Sequence, residues 1–409
     1  MTCDVVLIDL CAWDGHHKFY FLRVLHALEE FGMRVAGLCL EREDCQKGYQ
    51  DEFGEANSPK IIPLQAASSW FMYLVALLNQ VWYRLTGRAA VVNPYFVENL
   101  LKTRRSLEKA GISPNTVVFF LHLDSMLLVR PTWLGKLLMP RRWIGLYFLP
   151  AFRTPREDSS YSAHLSREKV LQSKKCRGIY VLDEATVNDL EVKVERGFVE
   201  FLPELLDVDY EEGYQLPQVF HDSAEVKRPI VGMFGNLDKR KNVLNLVRAV
   251  SLFDEGTVQL VLMGKLDLSK YSEEEREEFE KLTKADRHIY TKFEFIPDEA
   301  FNKLISASDV IYAAYNNFVG SSGILPKAVF FRRPVLAARG FVIGDRVQQY
   351  KLGMTVEHDR PTEIAAAILT LTQEFELDET KAEAFLERNT STSFTDHLKS
   401  LAKIVSRKQ

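Results

Sequence analysis

Two loops of this chain bring together the residue types that grip a phosphate. In the first, Gly235-Asn236-Leu237-Asp238-Lys239-Arg240-Lys241-Asn242 follows the apolar run Ile230–Phe234 and opens a helix. Glycine lets backbone approach a ligand, and three consecutive cations can neutralise a diphosphate. An ordinary basic turn has the same residues. In the second, Gly320-Ser321-Ser322-Gly323 lies between the apolar run Val310–Ala313 and a helix starting near Leu325. Free N–H groups and the dipole make a helix start an anion site, while Ser-Ser-Gly also reads as a plain N-cap. Each loop follows a strand and precedes a helix in one half of the chain, so together they can hold a diphosphate from two sides.

The first half carries candidates for proton chemistry. Gly15-His16-His17 follows the opening strand at the mouth of the next helix, with Tyr20 one turn on. A histidine there can carry a proton or bond a phosphate, or simply cap the helix. His122 and Asp124 follow the run Val117–Leu121 and suit a general base, or a turn. Arg130, Arg141, Arg142, Arg153 and Arg156 recur beyond them and read either as an anionic-acceptor surface or as solvated charge.

Such residues need strands that end beside them. Short apolar runs alternate with helix-period stretches throughout, the signature of βαβ units and a parallel sheet. The first-half strand candidates are Val5–Ile8, Val35–Leu40, Val117–Leu121, Ile144–Phe148, Ile179–Leu182 and Val199–Leu202. Between the first two, Phe21, Val24, Leu25, Leu28 and Phe31 recur at helical spacing until Gly32. The second set is Ile230–Phe234, Val258–Met263, Phe293–Phe295, Val310–Ala313, Val335–Ala337 and Met354–Val356. Its helices are expected near Val243–Phe253, Glu273–Lys284, Asp298–Ser306 and Leu325–Phe331. The expected class is α/β, with two doubly wound Rossmann-like domains at residues 1–206 and 229–379. A polar, proline-containing stretch at 207–228 reads as the linker, and 380–409 as a C-terminal helix.

Composition narrows the function. A chain of 409 residues, 46% hydrophobic and 26% charged with formal net charge −4, has no basic excess that would suit nucleic acid. The five cysteines Cys3, Cys11, Cys39, Cys45 and Cys176 lack metal spacing and read as reduced and structural. With no secretion leader evident before Asp4, a cytoplasmic location is expected. The apolar stretch from Ser69 to Tyr83 is broken by Asn79 and Gln80, short of a spanning helix. It reads either as a core helix or, with Arg84, Arg88, Lys102, Arg104 and Arg105 following, as a peripheral membrane contact through 69–88.

From Val231 to about Val356 several landmarks occur in order: Gly-Met-Phe-Gly-Asn-Leu-Asp-Lys-Arg-Lys-Asn, then Leu-Val-Leu-Met-Gly-Lys, then Phe-Ile-Pro-Asp-Glu-Ala-Phe, then Lys-Ala-Val-Phe-Phe-Arg-Arg-Pro. This resembles the donor domain of GT-B glycosyltransferases of group 1, a retaining, family-4-like set. The resemblance implies two domains facing each other across a cleft, with a nucleotide-diphosphate sugar as partner. It also implies that Lys241 binds the diphosphate, that Gly235 lines the phosphate loop, and that Gly264 and Phe295-Ile296 lie by the nucleotide. The glycine-rich first loop at Gly15 resembles the same family's acceptor-facing loop, and the C-terminal helix is implied to cross back to the first domain.

Departures accompany the likeness. Asn236 and Asn242 replace an arginine and a glycine, and the paired glutamates of many relatives fall on Val319 and Lys327. Donor binding then relies on Gly320, Ser321, Ser322 and Gly323 with Lys327 in the old carboxylate's place. The expected activity is metal-independent sugar transfer, without a cofactor, to an unidentified acceptor. A catalytically silent scaffold and a nucleotide-sugar epimerase or hydrolase are the rivals. The Asp207-Val208-Asp209 triplet lies in the linker, away from where a metal-dependent transferase would use it.

Overall fold

Runs such as Ile230–Phe234 are apolar at every position, the pattern of parallel strands covered on both faces. In the computed structural model such runs form two sheets, in units comprising residues 1–203 with 392–409, and 204–391. The structure describes residues 2–10, 16–54, 59–66, 69–86, 94–127, 132–150, 168–209, 213–221, 228–254, 256–285 and 288–406. Cys11, Arg88, Arg130, Arg153 and Arg156 lie outside these, as does the side chain of His16.

The first unit holds β1 (Val5–Asp9), β2 (Val35–Cys39), β3 (Lys60–Ile61), β4 (Val117–Phe120), β5 (Trp143–Tyr147), β6 (Cys176–Val181) and β7 (Phe198–Phe201). Their order is β3-β2-β1-β4-β5-β6-β7, all parallel. β1, β2, β4 and β5 are buried at every residue. The helix His16–Glu30 fills the β1-to-β2 crossover and stops where Gly32 takes φ +72°. The last helix, Ser391–Ser406, belongs to this unit: Tyr180 and Ser400 share a 2.6 Å hydrogen bond, and Arg142 donates to the Ile404 carbonyl at 3.0 Å. Residues 380–409 are therefore not one helix, because Glu379–Arg388 ends at Asn389 and remains in the second unit.

The second unit holds β8 (Ile230–Phe234), β9 (Gln259–Met263), β10 (Ile289–Lys292), β11 (Val310–Ala313), β12 (Val335–Ala338) and β13 (Gly353–Val356). They run parallel in the order β10-β9-β8-β11-β12-β13. Strand order reverses between β1 and β4 in one sheet and between β8 and β11 in the other. Doubly wound sheets bind ligands beyond the carboxyl ends of their strands at such points. The expected strand Phe293–Phe295 is displaced: Ile289-Tyr290-Thr291 pair with β9, and Phe293 and Phe295 follow as exposed loop residues. The 207–228 stretch is not a bare linker, since Tyr214, Leu216, Val219 and Phe220 pack on the second unit's core.

The helix Ser69–Thr86 runs through Asn79 and Gln80 unbroken, and it is not a core helix. Trp70, Tyr73, Leu74, Leu77, Leu78, Val81 and Leu85 form one stripe at helical spacing, and all are exposed, Tyr73 by 74% and Leu85 by 78%. Among the described residues no helix is long and apolar enough to cross a membrane. Cys3, Cys39, Cys45 and Cys176 are buried free thiols.

Candidate functional site

At the switch point of the second sheet, β8 runs straight into Gly235, whose φ of +89° suits glycine. Asp238 then caps a single turn over Lys239–Lys241, its carboxylate accepting the Lys241 amide at 3.0 Å. That turn folds Lys241 back over β8. Its Nζ donates to the Phe234 carbonyl at 2.6 Å, and would stand 3.3 Å from a Cβ placed on Gly235. Burial first, and Arg240 second, lower the ammonium's pKa to about 7, with Asp238 opposing. An anion bound beside this lysine would add to the Asp238 effect and restore its charge.

The three cations of this loop separate in function. Lys239 is held by Glu275 at 2.7 Å, so it fastens the loop to the helix Glu273–Ala285. Arg240 lies over the rings of Tyr315 and Phe318, at 5.6 and 4.8 Å. Lys241 stands 5.6 Å from the Tyr315 ring on its own account. Asn242 takes the left-handed region, φ +64°, which explains a glycine-for-asparagine exchange: asparagine is the L-residue best suited to it. Its amide side chain is put to use, donating to Tyr312 Oη at 3.0 Å and to the Ala314 and His358 carbonyls. It therefore ties the loop after β8 to the residue after β11.

The second loop meets the first there. The Asn316 amide donates to the Arg240 carbonyl at 2.7 Å, and Tyr315 lies buried beneath both loops. Burial raises the Tyr315 pKa, while Arg240 and hydrogen bonding with Ser322 oppose that rise. The plain-cap reading of Ser-Ser-Gly does not hold, because Gly323 is the N-cap and no side chain caps the helix Ile324–Phe330. Ser321 Oγ instead accepts from Arg346 at 2.7 Å. Among the described residues, the N–H groups of Gly320 to Gly323 have no acceptor. The helix has only seven residues, so these local amides, more than a macrodipole, favour an anion.

Gly264 ends β9 with φ +135°, and a Cβ there would lie 1.9 Å from the Gly235 carbonyl oxygen. Its glycine is thus required by the close approach of two strand ends. Phe295, 68% exposed, and buried Ile296 follow β10, two strands from β8. Asn236 is exposed at the rim. Lys327 is a tether: its Nζ donates to Asn302 Oδ1 at 2.9 Å, and Asn302 holds the Asp207 and Asp209 carbonyls. Glu204, buried to 5% exposure, places Oε2 3.7 Å from a Cβ position on Gly323. Sequence reasoning passed over Glu204 and Arg346, which have no local motif around them.

The first unit's switch point holds a different chemistry. Asp9, the last residue of β1 and almost fully buried, accepts from His17 Nδ1 at 2.9 Å. His122, just beyond β4, places its ring 5.5 Å from that of His17. With its Nδ1 committed to Asp9, the His17 ring is held in one orientation beside His122. Asp124 serves otherwise. Its two oxygens accept the Phe148 and Leu149 amides at 2.8 and 2.9 Å, so it anchors the loop after β5 and is not a free base. Asp9 was missed although an acid closing the first strand, eight residues before a histidine, is a visible signal.

Residues 228–374 match the family model of group 1 glycosyl transferases. No curated protein sequence matches the chain. Solved structures match over its length: sucrose-phosphate synthase from Thermosynechococcus elongatus at TM-score 0.67, 15% identity and 99% of each chain; Anabaena HepE in complex with UDP and glucose at 0.65, 13%, and 99% and 100% of the two chains; and the trehalose 6-phosphate synthase of Burkholderia multivorans at 0.65, 13% and all of both. Identities this low establish the fold alone, and the family likeness is confined to the matched segment of the second unit. Residues 228–374 thus resemble the group 1 glycosyl transferases, and the chain as a whole has the two-domain GT-B fold of these structures.

Proposed function

We propose that this transferase takes a sugar from a nucleoside diphosphate and delivers it to an acceptor without a metal ion. The observation that carries the proposal is the meeting of Lys241 and the serine loop around Tyr315, at the β8/β11 switch point. Lys241 Nζ and the Gly320–Gly323 amides hold the diphosphate, with Arg240 and Arg346 adding positive charge. As the bond to the sugar breaks, charge grows on the leaving phosphate, so donors already aimed at it lower the barrier without reorganising. Glu204 beside Gly323 supplies a carboxylate near the positions where Val319 and Lys327 lack one. Gly264, Phe295 and Ile296, beyond β9 and β10, take the nucleoside. A panel of nucleotide-sugars screened by thermal shift tests this reading. Stabilisation by at least one donor and by its diphosphate product is expected, and silence across the panel would remove the proposal.

In the same reading, His17, oriented by Asp9 and neighboured by His122, handles the acceptor proton. Replacing His17 by alanine is expected to lower kcat by about 10²–10⁴-fold, with nucleoside-diphosphate affinity unchanged in calorimetry. Asp9→Asn should fall in the same direction by less. An equal loss of affinity would assign the pair to binding instead.

The exposed stripe on the helix Ser69–Thr86 supports peripheral contact with a membrane, where an acceptor could be presented. Arg84 continues that surface, whereas Lys102 and Arg104 are paired with Glu98 and Glu108. Co-sedimentation with anionic vesicles should fall about tenfold or more in a Tyr73→Ser, Leu77→Ser, Leu85→Ser variant, since each removes apolar area that inserts between headgroups. Equal sedimentation of both proteins would end the idea.

A further inference from the structure

The first unit contains a cavity of about 430 Å³ that the transfer reaction does not use. It lies at the amino ends of β4 and β5, formed by the residues that lead into those strands and by the helix Pro94–Lys109. Asp9 and His122 stand at the other, carboxyl ends of the same sheet. The cavity is therefore separate from the His17–Asp9 pair.

Its lining has two characters. Leu100, Leu107, Ile112, Val118 and Leu138 make apolar walls. Thr103 lies among them, 1% exposed, and its buried hydroxyl has no hydrogen-bond partner among the described residues. A hydroxyl in that condition is the kind of group a ligand satisfies. The charged lining is three cations, Arg104, Arg141 and Lys175, with Glu108 as the acid, beside the hydroxyls of Ser113 and Thr116. Lys175 gives all three ammonium hydrogens to the Lys136, Leu137 and Met139 carbonyls at 2.9, 3.0 and 2.9 Å, so its charge is fixed in place. Burial chiefly, then the nearby Arg104 and Arg141 charges, lower its pKa. Glu108 offsets Arg104 through a 2.8 Å pair, leaving the charge of Arg141 and Lys175 unbalanced at the chamber.

An apolar chamber of this size, within the range of small-ligand sites, with excess positive charge at its rim matches one chemical class. We infer that the cavity binds a small anionic amphiphile, its apolar part against Leu107, Ile112 and Leu138 and its phosphate or carboxylate at Arg141, with the fixed charge of Lys175 behind it. The inference does not depend on the donor site. A free amphiphile and a bilayer lipid share this chemistry.

Calorimetry of the full chain with dodecyl phosphate below its micelle concentration, against dodecanol, provides the test. One saturable site for the phosphate is expected, with dodecanol and the Arg141→Glu protein each weaker by about tenfold or more. Arg141 is exposed, so that variant should keep the wild-type melting temperature. Thr103→Val, which removes a buried hydroxyl isosterically, should melt no lower than wild type yet bind more weakly. Vesicles of phosphatidylglycerol form a second arm: binding lost with Arg141→Glu assigns the headgroup to bilayer lipid, and binding kept assigns it to a soluble amphiphile. Absence of saturable dodecyl phosphate binding, or equal binding by wild type and Arg141→Glu, overturns the inference.

Discussion

Replacing Lys241 by alanine should weaken nucleoside-diphosphate binding by about 2–5 kcal/mol, or roughly 30- to 5,000-fold in Kd, the usual result of deleting one member of a buried, hydrogen-bonded charge pair. The size of the effect follows from what the side chain does unliganded. Its ammonium is turned inward on the Phe234 carbonyl, and its pKa is held near 7 by burial and by Arg240. A diphosphate adds opposite charge to that of Asp238, so most of the interaction appears only on binding. Calorimetry with UDP and GDP reads the loss directly. Lys241→Arg should not rescue, because a larger planar guanidinium cannot reproduce the inward, buried position in which Lys241 Nζ bonds the Phe234 carbonyl at 2.6 Å. The unliganded protein behaves differently. The folded pKa lies below the ordinary lysine value of 10.5, so between the two the unfolded chain binds more protons. Stability therefore rises with pH across that window on this residue's account, and Lys241→Met should remove that slope with little cost in melting temperature.

Gly264→Ala should damage both stability and donor binding. A methyl group at that position would meet the Gly235 carbonyl oxygen at 1.9 Å and Gly235 N at 2.9 Å, both main-chain atoms that no rotamer change can move. The φ of +135° is itself closed to alanine. Relief requires the ends of β8 and β9 to separate, breaking the Gly235 N–H bond to the Met263 carbonyl at 3.1 Å and moving the loop that positions Lys241. A loss of about 2–4 kcal/mol in stability is expected, the scale of severe backbone and packing conflicts. Urea unfolding would measure it, and the soluble fraction should bind UDP or GDP at least tenfold more weakly. Gly256→Ala provides the comparison. There φ is +94° but nothing stands within 4 Å of the added carbon, so strain remains without the clash and the donor loop stays put.

Strand ends were the most readable feature of this chain. Where a parallel strand is covered on both faces, its run is apolar without interruption, so Ile230–Phe234 and Val310–Ala313 coincide with β8 and β11. Those two ends alone bring Gly235 and the serine loop to one switch point. The reading slipped where apolar residues do other work. Phe293 and Phe295 are large and alternate, as a half-buried strand would, yet Ile289-Tyr290-Thr291 take the pairing with β9 and both phenylalanines are exposed. The stripe from Trp70 to Leu85 has the spacing of a core helix and faces outward instead. Chemistry-bearing residues were readable only where a local motif surrounded them. Asp9 gains meaning from His17 across a loop, Arg346 from Ser321 on a separate element, and Glu204 from Gly323 more than a hundred residues away. Conversely, Asp124 and Lys327 sit at suggestive positions, but their side chains are engaged with main-chain amides and with Asn302.

The grip of Lys241 on a diphosphate is tested most directly by counting protons. UDP and GDP are titrated into the protein at pH 8 in buffers of different ionisation enthalpy, where the free lysine, with pKa about 7, is mostly neutral and the bound one must be charged. Uptake of about one proton per bound nucleotide is expected, shrinking as the pH is lowered toward 6 and vanishing in Lys241→Met. Binding with no proton uptake at pH 8, or binding by neither nucleotide, would contradict the account.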